Sequence, residues 1–410
     1  MTALDPHAAS AGAMEPPESG DSITRGDFVA RAGRLACFCP PGAPMSGAPY
    51  PGAADESDRW SPGVATLAAG FALSVLSQSL ALGVLPLAGR LLAPAPHLMA
   101  APYIAMLLGA AAATFPASFL LDAFGRRAAL ALGASLGTAG GLVMAWALSA
   151  NLFAPFCLGA FWLGVAQGFS LFYRHEAALG APGASRARAA LIVFGSGALA
   201  GLAGPALAFI VAQKAPASLF AATALAAALT QVLVLALAVF ATARAPVLPH
   251  SFARPDSKPD WSAFIAPSLI AALAWFGMTA AMVAAPGAMA GCGIGAPIVF
   301  SAISWHVVAM YAPAFFTGFF ARRLGALTTA AIGLALIVAA WMIENAANDY
   351  WRFASALIVV AIGWSFATAG ASLRLYATAN PTRGMLAAHD ALLFVSAIAG
   401  AMAAAYWLPV

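Results

Sequence analysis

Residues 118–127, SFLLDAFGRR, form a short polar stretch between two long apolar segments, and a related stretch follows two hundred residues later. The second stretch, residues 318–325, reads GFFARRLG. In the same register, FGS at 194–196 matches FVS at 394–396. Two matches at one spacing predict that the chain contains two parallel copies of one helical bundle.

The residues around these stretches are overwhelmingly apolar. Hydrophobic residues make up 62% of the chain, charged residues make up 8%, and the mean hydropathy is +0.87. A soluble domain carries roughly 25% charged residues. Apolar segments recur at about the 20 residues that a helix needs to cross a bilayer. The sequence therefore predicts an all-α membrane protein with about eleven transmembrane helices, at 63–88, 99–121, 127–149, 152–173, 189–212, 217–242, 263–284, 298–320, 326–343, 352–372 and 386–408.

The cationic residues fall mainly on one side of the membrane once these helices are threaded back and forth. Of the 19 Lys and Arg residues, Arg90, Lys214 and Arg352 alone lie on the other side. Because cationic loops resist translocation, the rich side is predicted to be cytoplasmic. The prediction is a multi-pass protein of a bacterial inner membrane, with a cytoplasmic N-terminus and a periplasmic C-terminus. Its net charge of +4 then faces anionic lipid, so no nucleic-acid partner is expected.

Composition divides the chain into four parts. Residues 1–61 are polar and rich in Gly and Pro, and they are predicted to be disordered. Residues 62–243 are predicted to form an N-terminal bundle of six helices, and residues 263–410 a C-terminal bundle of five. Residues 244–262, which are rich in Pro and charge, are predicted to be a cytoplasmic linker between the bundles.

The stretch at 118–127 resembles the signature of the major facilitator superfamily of secondary transporters, G-x-x-x-D-[RK]-x-G-[RK]-[RK]. The Asp, the second Gly and both Arg residues match, whereas Ser118 and Ala123 depart from the pattern. The second stretch restores the leading Gly and one cation, and it replaces the acid by Arg322. The resemblance covers about residues 62–410 and implies the two-bundle fold of that superfamily.

The signature also predicts a conformational latch at the cytoplasmic ends of the helices. A carboxylate can meet the positive N-terminus of a helix there, and cations can meet C-terminal carbonyls. Asp122 is expected near the N-terminus of the last span, with Arg126 or Arg127 near Glu176. The alternative is that the arginines only determine topology. The predicted latch residues are Asp122, Gly125, Arg126, Arg127, Glu176, Gly318, Arg322, Arg323 and Gly325.

Two further signatures are partial. GVAQG at 164–168 resembles the R-x-x-Q-G pattern of span 4 without its Arg, and GALAGLAGP at 197–205 resembles the antiporter pattern of span 5. The missing Arg argues against proton coupling through span 4.

Spans 1, 4, 7 and 10 line the cavity in this superfamily, which implies a substrate pocket. Gln and Ser side chains in these spans could instead hold helices together by hydrogen bonds. No span carries a carboxylate near its centre, and Asp390 is expected within reach of water. A neutral cavity suits an apolar or amphipathic small molecule. The predicted pocket residues are Gln78, Trp162, Gln167, Trp275, Met278 and Trp364.

His306 is the candidate for proton coupling, because it lies well inside span 8 and an imidazole titrates near neutral pH. The alternative is a neutral His that is bonded to a backbone carbonyl in a packing seam. The four cysteines lack further soft ligands at metal-binding spacing. No metal and no cofactor are therefore expected.

The sequence thus predicts secondary active transport of a small organic compound by alternating access, as a monomer, with efflux and proton coupling. An enzyme is not expected, because the spans lack the paired acids, His cluster or Ser with His that catalysis would need. The repeat would place a twelfth helix after Val410. A truncated or relic transporter-like protein with a binding role and no transport is therefore the alternative.

Overall fold

A computed structural model describes residues 28–31, 34–37, 62–181, 185–215, 218–241, 260–378 and 381–406, in two compact units. The first unit contains a short antiparallel hairpin of β1, Phe28–Arg31, and β2, Arg34–Cys37. The rest of the segment predicted to be disordered, 1–61, lies outside the described residues. The same holds for most of the predicted linker, 244–262.

The second unit is helical, and its helices confirm the predicted all-α membrane fold. A short 3₁₀ helix, Pro96–Leu98, follows the first of them. The α-helices are α1 Pro62–Leu92, α2 Ala101–Ser149, α3 Phe153–Gly180, α4 Ser185–Gly195, α5 Ala198–Lys214, α6 Leu219–Phe240, α7 Trp261–Gly291, α8 Ala296–Tyr311, α9 Ala314–Leu324, α10 Ala326–Asn345, α11 Tyr350–Thr378 and α12 Arg383–Tyr406.

Helix α2 is two membrane spans that join at Gly125. Its 49 residues would extend about 74 Å as one rod, more than twice the roughly 30 Å hydrocarbon core. Gly125 has φ 77° and ψ 174°, which breaks the helix between its two arms. Gly325, two hundred residues later, has φ 90° and ψ 147° between α9 and α10. The backbone therefore repeats at the two stretches where the sequence repeats.

Two other spans are broken without a loop. Helices α4 and α5 are separated by Ser196 and Gly197, and α8 and α9 by Ala312 and Pro313, with a bend of 43° in the second case. Among the described residues, nine helical stretches are long and apolar enough to cross a membrane, or ten if the bent pair is one span. In the count of ten, α2 belongs to a single stretch. If α2 is divided at Gly125 into two spans, the total is the eleven crossings that the sequence predicts.

Helices α1 to α6 pack mainly with one another, and so do α7 to α12. The two halves meet where α2 packs on α12, α5 on α8, and α4 on α9. Gly201 shows how closely α5 and α8 approach, since a Cβ there would lie 2.7 Å from the backbone nitrogen of Val308. A larger residue would push the halves apart.

The bundle has two chemically different ends. We call the end that carries Gly125, Gly325 and Arg383 the charged end; Arg90 and Lys214 mark the opposite end. At the charged end, Asp260 caps α7 by accepting hydrogen bonds from the backbone of Ser262 and Ala263. The hydrogen bond from the Ser262 hydroxyl is the main cause that lowers the pKa of Asp260 below its ordinary value.

Candidate functional site

A central cavity lies between the two halves of the bundle, with walls from α1, α2, α3, α7, α8 and α11. Its lining includes Leu82, Tyr103 and Met282, which lie toward the opposite end of their helices. The full lining is Val75, Gln78, Ser79, Leu82, Tyr103, Met106, Leu107, Gln167, Trp275, Met278, Thr279, Met282, Val307, Met310, Tyr311 and Trp364. Half of these residues are aromatic or Met, and the rest are aliphatic or carry an amide or a hydroxyl.

Five of the six predicted pocket residues line this cavity: Gln78, Gln167, Trp275, Met278 and Trp364. Trp162 does not line it. The indole of Trp162 is half-buried and packs edge-on against the Phe161 ring at 5.8 Å. It lies one and a half turns before Gln167 on α3, which turns it away from the residues that face the cavity.

Three polar atoms on the cavity-lining side chains have no hydrogen-bond partner within the part of the chain that the structure describes. They are Gln167 Oε1, Trp275 Nε1 and Trp364 Nε1. Trp275 is 5% exposed and Trp364 is 1% exposed, so water reaches neither side chain freely. A buried donor or acceptor without a partner costs about 1–3 kcal/mol. These three atoms thus lack a partner, among the described residues, on side chains that line the cavity.

Gln78 is partnered, in contrast to these three. Its Nε2 donates to the Ser170 hydroxyl at 3.1 Å, and that hydroxyl donates to the backbone carbonyl of Gln167 at 2.8 Å. These two hydrogen bonds link α1 to α3 at the wall of the cavity. Gln78 thus combines the two roles that the sequence leaves open, cavity lining and a bond between helices.

An aromatic layer forms the wall of the cavity nearest the charged end. The Trp364 ring lies 5.3 Å from Trp275, 5.5 Å from Phe194 and 5.7 Å from Tyr311, between centroids. Trp275 also contacts Phe394 at 5.3 Å. Tilted and edge-on pairs at these separations are favourable ring contacts. They make this wall a continuous aromatic layer.

A group of ion pairs joins the halves at the charged end, and we call it the charge latch: Asp122, Arg126, Glu176 and Arg383. Arg383 Nη1 donates to Asp122 Oδ1 at 2.6 Å, and Arg383 Nε donates to Glu176 Oε1 at 2.7 Å. Arg126 binds the other oxygen of Glu176 and donates to its backbone carbonyl at 3.0 Å. Since Arg383 belongs to α12 and the others to α2 and α3, the ion pairs of the charge latch cross between the two halves at the charged end.

Within the described residues, no ion pair of this kind is seen at the second copy of the signature. Arg322 and Arg323 are exposed, and the Arg323 guanidinium lies 4.6 Å from the centroid of the Phe319 ring. Gly318 packs against Leu191, and Gly325 ends α9. Arg127 of the first copy is likewise exposed. The structure therefore brings together Asp122, Arg126 and Glu176, and it leaves Arg127 and the second copy apart from them.

Deeper in the charged end lies a second group, the buried cluster: Arg174, His175, Tyr376 and Asp390. Arg174 Nη2 donates to Asp390 Oδ1 at 2.7 Å, and His175 Nε2 lies 3.0 Å from Asp390 Oδ2. His175 Nδ1 lies 2.7 Å from the Tyr376 hydroxyl. The cluster joins α3 to α11 and α12, and so it crosses between the halves.

One expectation about these residues is wrong. Asp390 is fully buried instead of lying within reach of water, because Arg174 and His175 occupy both of its oxygens. Helix α3 continues past the predicted end of the span at residue 173 to Gly180, and its Arg174 and Glu176 each pair with a group from the other half. The available signal was the run of three ionisable residues at 174–176, directly after an apolar span.

His306 lies apart from both the cavity and the buried cluster. Its Nδ1 is 2.7 Å from the backbone carbonyl oxygen of Leu357, which fixes that nitrogen as the donor. The ring is fully buried between α8 and α11. This placement corresponds to the packing-seam alternative; the coupling role stays a prediction.

The chain is similar to known transporters. It is 35% identical over 308 residues to the riboflavin transporter RfnT of Brucella anthropi, which covers 73% of this chain and 77% of that protein. Two crystal structures of FucP, the E. coli fucose:proton symporter, have TM-scores of 0.56 and 0.55 at 15% and 16% identity. Each covers 83% of this chain and 89% of FucP. No family model matches the chain.

At such low identity the FucP structures show the fold alone, and one of them is described as a major facilitator superfamily transporter. RfnT is similar enough, over enough of its length, to show the family. The helical repeat, the central cavity and both likenesses agree with the resemblance of the signature at 118–127. The chain therefore belongs to the major facilitator superfamily, and it is a membrane transporter.

Proposed function

We propose that this transporter carries riboflavin, or a closely similar planar heterocycle, across the membrane by alternating access. The proposal rests on three polar atoms of cavity-lining residues that have no hydrogen-bond partner among the described residues, Gln167 Oε1, Trp275 Nε1 and Trp364 Nε1. Buried polar groups are nearly always hydrogen-bonded in folded proteins. A ligand that supplies the missing hydrogen bonds gains affinity, because these protein atoms are already buried and need not lose water when the ligand binds.

The chemistry of a flavin suits these groups. Its tricyclic ring is flat and can lie against the aromatic layer that contains Trp275, Trp364 and Tyr311. Its ring carbonyls and nitrogens accept hydrogen bonds from indole N–H groups, and its imide N–H can donate to Gln167 Oε1. The sugar-alcohol chain of riboflavin makes the molecule amphipathic, as the sequence predicts for the substrate. The name of the relative RfnT supports the same choice.

Alternating access requires that one end opens while the other closes. The charge latch is proposed to stabilise the state in which the charged end is closed. It contains one fully buried carboxylate, Glu176, and two cations that come from different halves, Arg126 and Arg383. Separating the halves breaks the bonds of Arg383 and leaves those of Arg126 in place.

The charged end is proposed to face the cytoplasm of a bacterial inner membrane, on the strength of the cation asymmetry. Proton coupling and net export also remain predictions. The cavity groups bind a flavin equally well whether it travels outward or inward, so the direction is decided by measuring flux in vesicles of both orientations. Riboflavin accumulation inside right-side-out vesicles would contradict export.

The experiment is riboflavin flux into proteoliposomes that contain the purified full-length protein, followed by flavin fluorescence. We expect saturable flux that Gln167→Leu abolishes. The matched control is Gln231→Leu. Gln231 is also buried with an unpartnered amide, among the described residues, but it lies on α6 outside the cavity lining. Absence of saturable flux in the wild type overturns the proposal, and riboflavin binding without flux supports the alternative of a binding role.

A further inference from the structure

The buried cluster has a hydrogen-bond pattern of its own, distinct from that of the charge latch. The Asp390 and His175 side chains are fully buried, and the Arg174 side chain is 2% exposed. Arg174 binds one oxygen of Asp390 and His175 binds the other. The carboxylate is thus bonded at both oxygens inside the protein, by residues that belong to the opposite half.

His175 can hold one proton or two in this geometry. Its Nε2 faces a carboxylate and therefore carries a hydrogen. Its Nδ1 faces the Tyr376 hydroxyl at 2.7 Å, which can donate to a neutral imidazole or accept from a protonated one. The imidazole can therefore gain a proton without moving, because rotation of the tyrosine hydroxyl keeps the hydrogen bond in either state.

The charge of the cluster is balanced while His175 is neutral, since Arg174 and Asp390 cancel. The other ionisable groups that face it are held elsewhere, Glu176 by Arg126 and Arg383, and His389 by the Ser268 hydroxyl. An added proton leaves one uncompensated positive charge in the sealed interior, which is costly away from water. That cost falls when α3 and α12 separate and water enters. A proton therefore binds better to the open state, and by linkage it favours that state.

A small cavity adjoins the buried cluster. It is lined by Arg174, Ser372 and Tyr376, among others, and offers about 10 Å³ to the centre of a water molecule, enough for one. Arg174 Nε has no hydrogen-bond partner in the described part of the chain. Phe194 borders this small cavity, and its ring contacts Trp364 of the central cavity. The small cavity therefore borders both the buried cluster and the aromatic layer of the central cavity.

We propose that His175 and Asp390 form a proton-binding site, and that a proton bound there opens the charged end. The proton comes from a hydronium ion in the central cavity, which becomes water, and it reaches His175 Nδ1 through water and the Tyr376 hydroxyl. No other bond is made or broken. The added positive charge on the imidazolium can be hydrated only when the charged end opens, so it favours the separation of α3 from α12. The inference rests on the proposed function, because it assigns the proton of an alternating-access cycle.

The test measures the opening of the charged end without substrate. In the full-length protein with its four cysteines replaced by serine, Ala128→Cys and Thr328→Cys carry spin labels. Both positions are exposed at the charged end, one in each half. Electron–electron resonance distances report the open fraction. We expect this fraction to rise severalfold between about pH 8 and about pH 5, the range in which an imidazole titrates.

His175→Gln is the decisive variant, because the amide can still donate to Asp390 but cannot gain a proton. We expect its open fraction to be independent of pH. The matched control is His306→Gln, which removes an equally buried imidazole outside the cluster and should keep the wild-type response. Asp390→Asn should be open at every pH. If that variant does not fold, His175→Gln decides the question alone.

A wild-type pH response in His175→Gln overturns the proposal, and so does loss of the response in His306→Gln. Riboflavin binding, measured by fluorescence on the same samples, keeps this failure separate from failure of the proposed function. Riboflavin bound by a protein whose pH response survives His175→Gln removes the proton site and leaves the transport proposal intact. Absence of riboflavin binding in the wild type removes the transport proposal whatever the pH response.

Discussion

Arg174 Nη2 and Asp390 Oδ1 are 2.7 Å apart, although 216 residues separate them in the chain and each belongs to a different half of the bundle. The pair is almost completely shielded from solvent. In such surroundings each charge depends on the other, because neither can be hydrated while the charged end is closed. The contact therefore couples this pair of side chains to the stability of the closed state.

Removing one member of this pair should destabilise the protein more than removing both. We expect Arg174→Met or Asp390→Asn to cost about 3–5 kcal/mol, because the remaining charge is buried without its partner. The double variant Arg174→Met/Asp390→Leu should recover most of that loss. Thermal unfolding of the purified proteins in one detergent measures the three values. Equal losses in the single and double variants would contradict a dependent pair.

Trp364→Phe should weaken riboflavin binding by roughly fivefold, because it keeps an aromatic ring and removes one hydrogen bond of about 1 kcal/mol. Trp275→Phe should act in the same direction for the same reason. Fluorescence titration of the purified variants gives the dissociation constants. Trp162→Phe is the control, since its indole lies outside the cavity, and a comparable loss there would argue against binding by the unpartnered indoles.

Gly125→Ala should destabilise the protein by about 1–3 kcal/mol, because φ 77° with ψ 174° is a conformation that residues with a Cβ rarely adopt. Gly63→Ala is a close control, since a Cβ meets nothing within 4 Å at either glycine. Gly63 is helical, so alanine there should be neutral or stabilising by up to about 1 kcal/mol. Melting temperatures compare the two, and equal values would show that backbone strain is not the cause.

Within the charge latch, Glu176→Gln should open the charged end far more than Asp122→Asn. The Asp122 side chain is 54% exposed, and exposed ion pairs contribute about 0.2–1 kcal/mol. Glu176 is fully buried between two cations, so its loss should cost on the order of 3 kcal/mol. The spin-label pair at positions 128 and 328 measures the open fraction. A larger effect of Asp122→Asn would reverse the assignment.

The membrane spans could be predicted from the sequence because each depends on local composition. The separation of the spans at 99–121 and 127–149 was predicted for the same reason, since a polar stretch between two apolar segments is a local pattern. Five cavity residues also followed, because polar and aromatic groups in apolar spans are few and the superfamily assigns four spans to the cavity. The latch contact between Arg126 and Glu176 followed from the signature.

The burial of Arg174 and Asp390 could not be predicted in this way. Taken alone, each is an ionisable residue near the end of a span, where water is usually within reach. Their pairing depends on how α3 and α12 pack, and no spacing along the chain encodes that. The position of Trp162 was missed for a related reason, because the cavity-facing side of α3 is set by its rotation about its own axis.

The glycine junctions have a consequence for how the protein is made. At Gly125 the chain reverses direction with no loop between the two arms of α2, and at Gly325 it does so between α9 and α10. Because no loop connects the two spans of each pair, one span cannot enter the bilayer while the other stays outside it. We therefore expect the insertion machinery to receive each of these pairs as one helical hairpin, so that errors of topology are made or avoided two spans at a time.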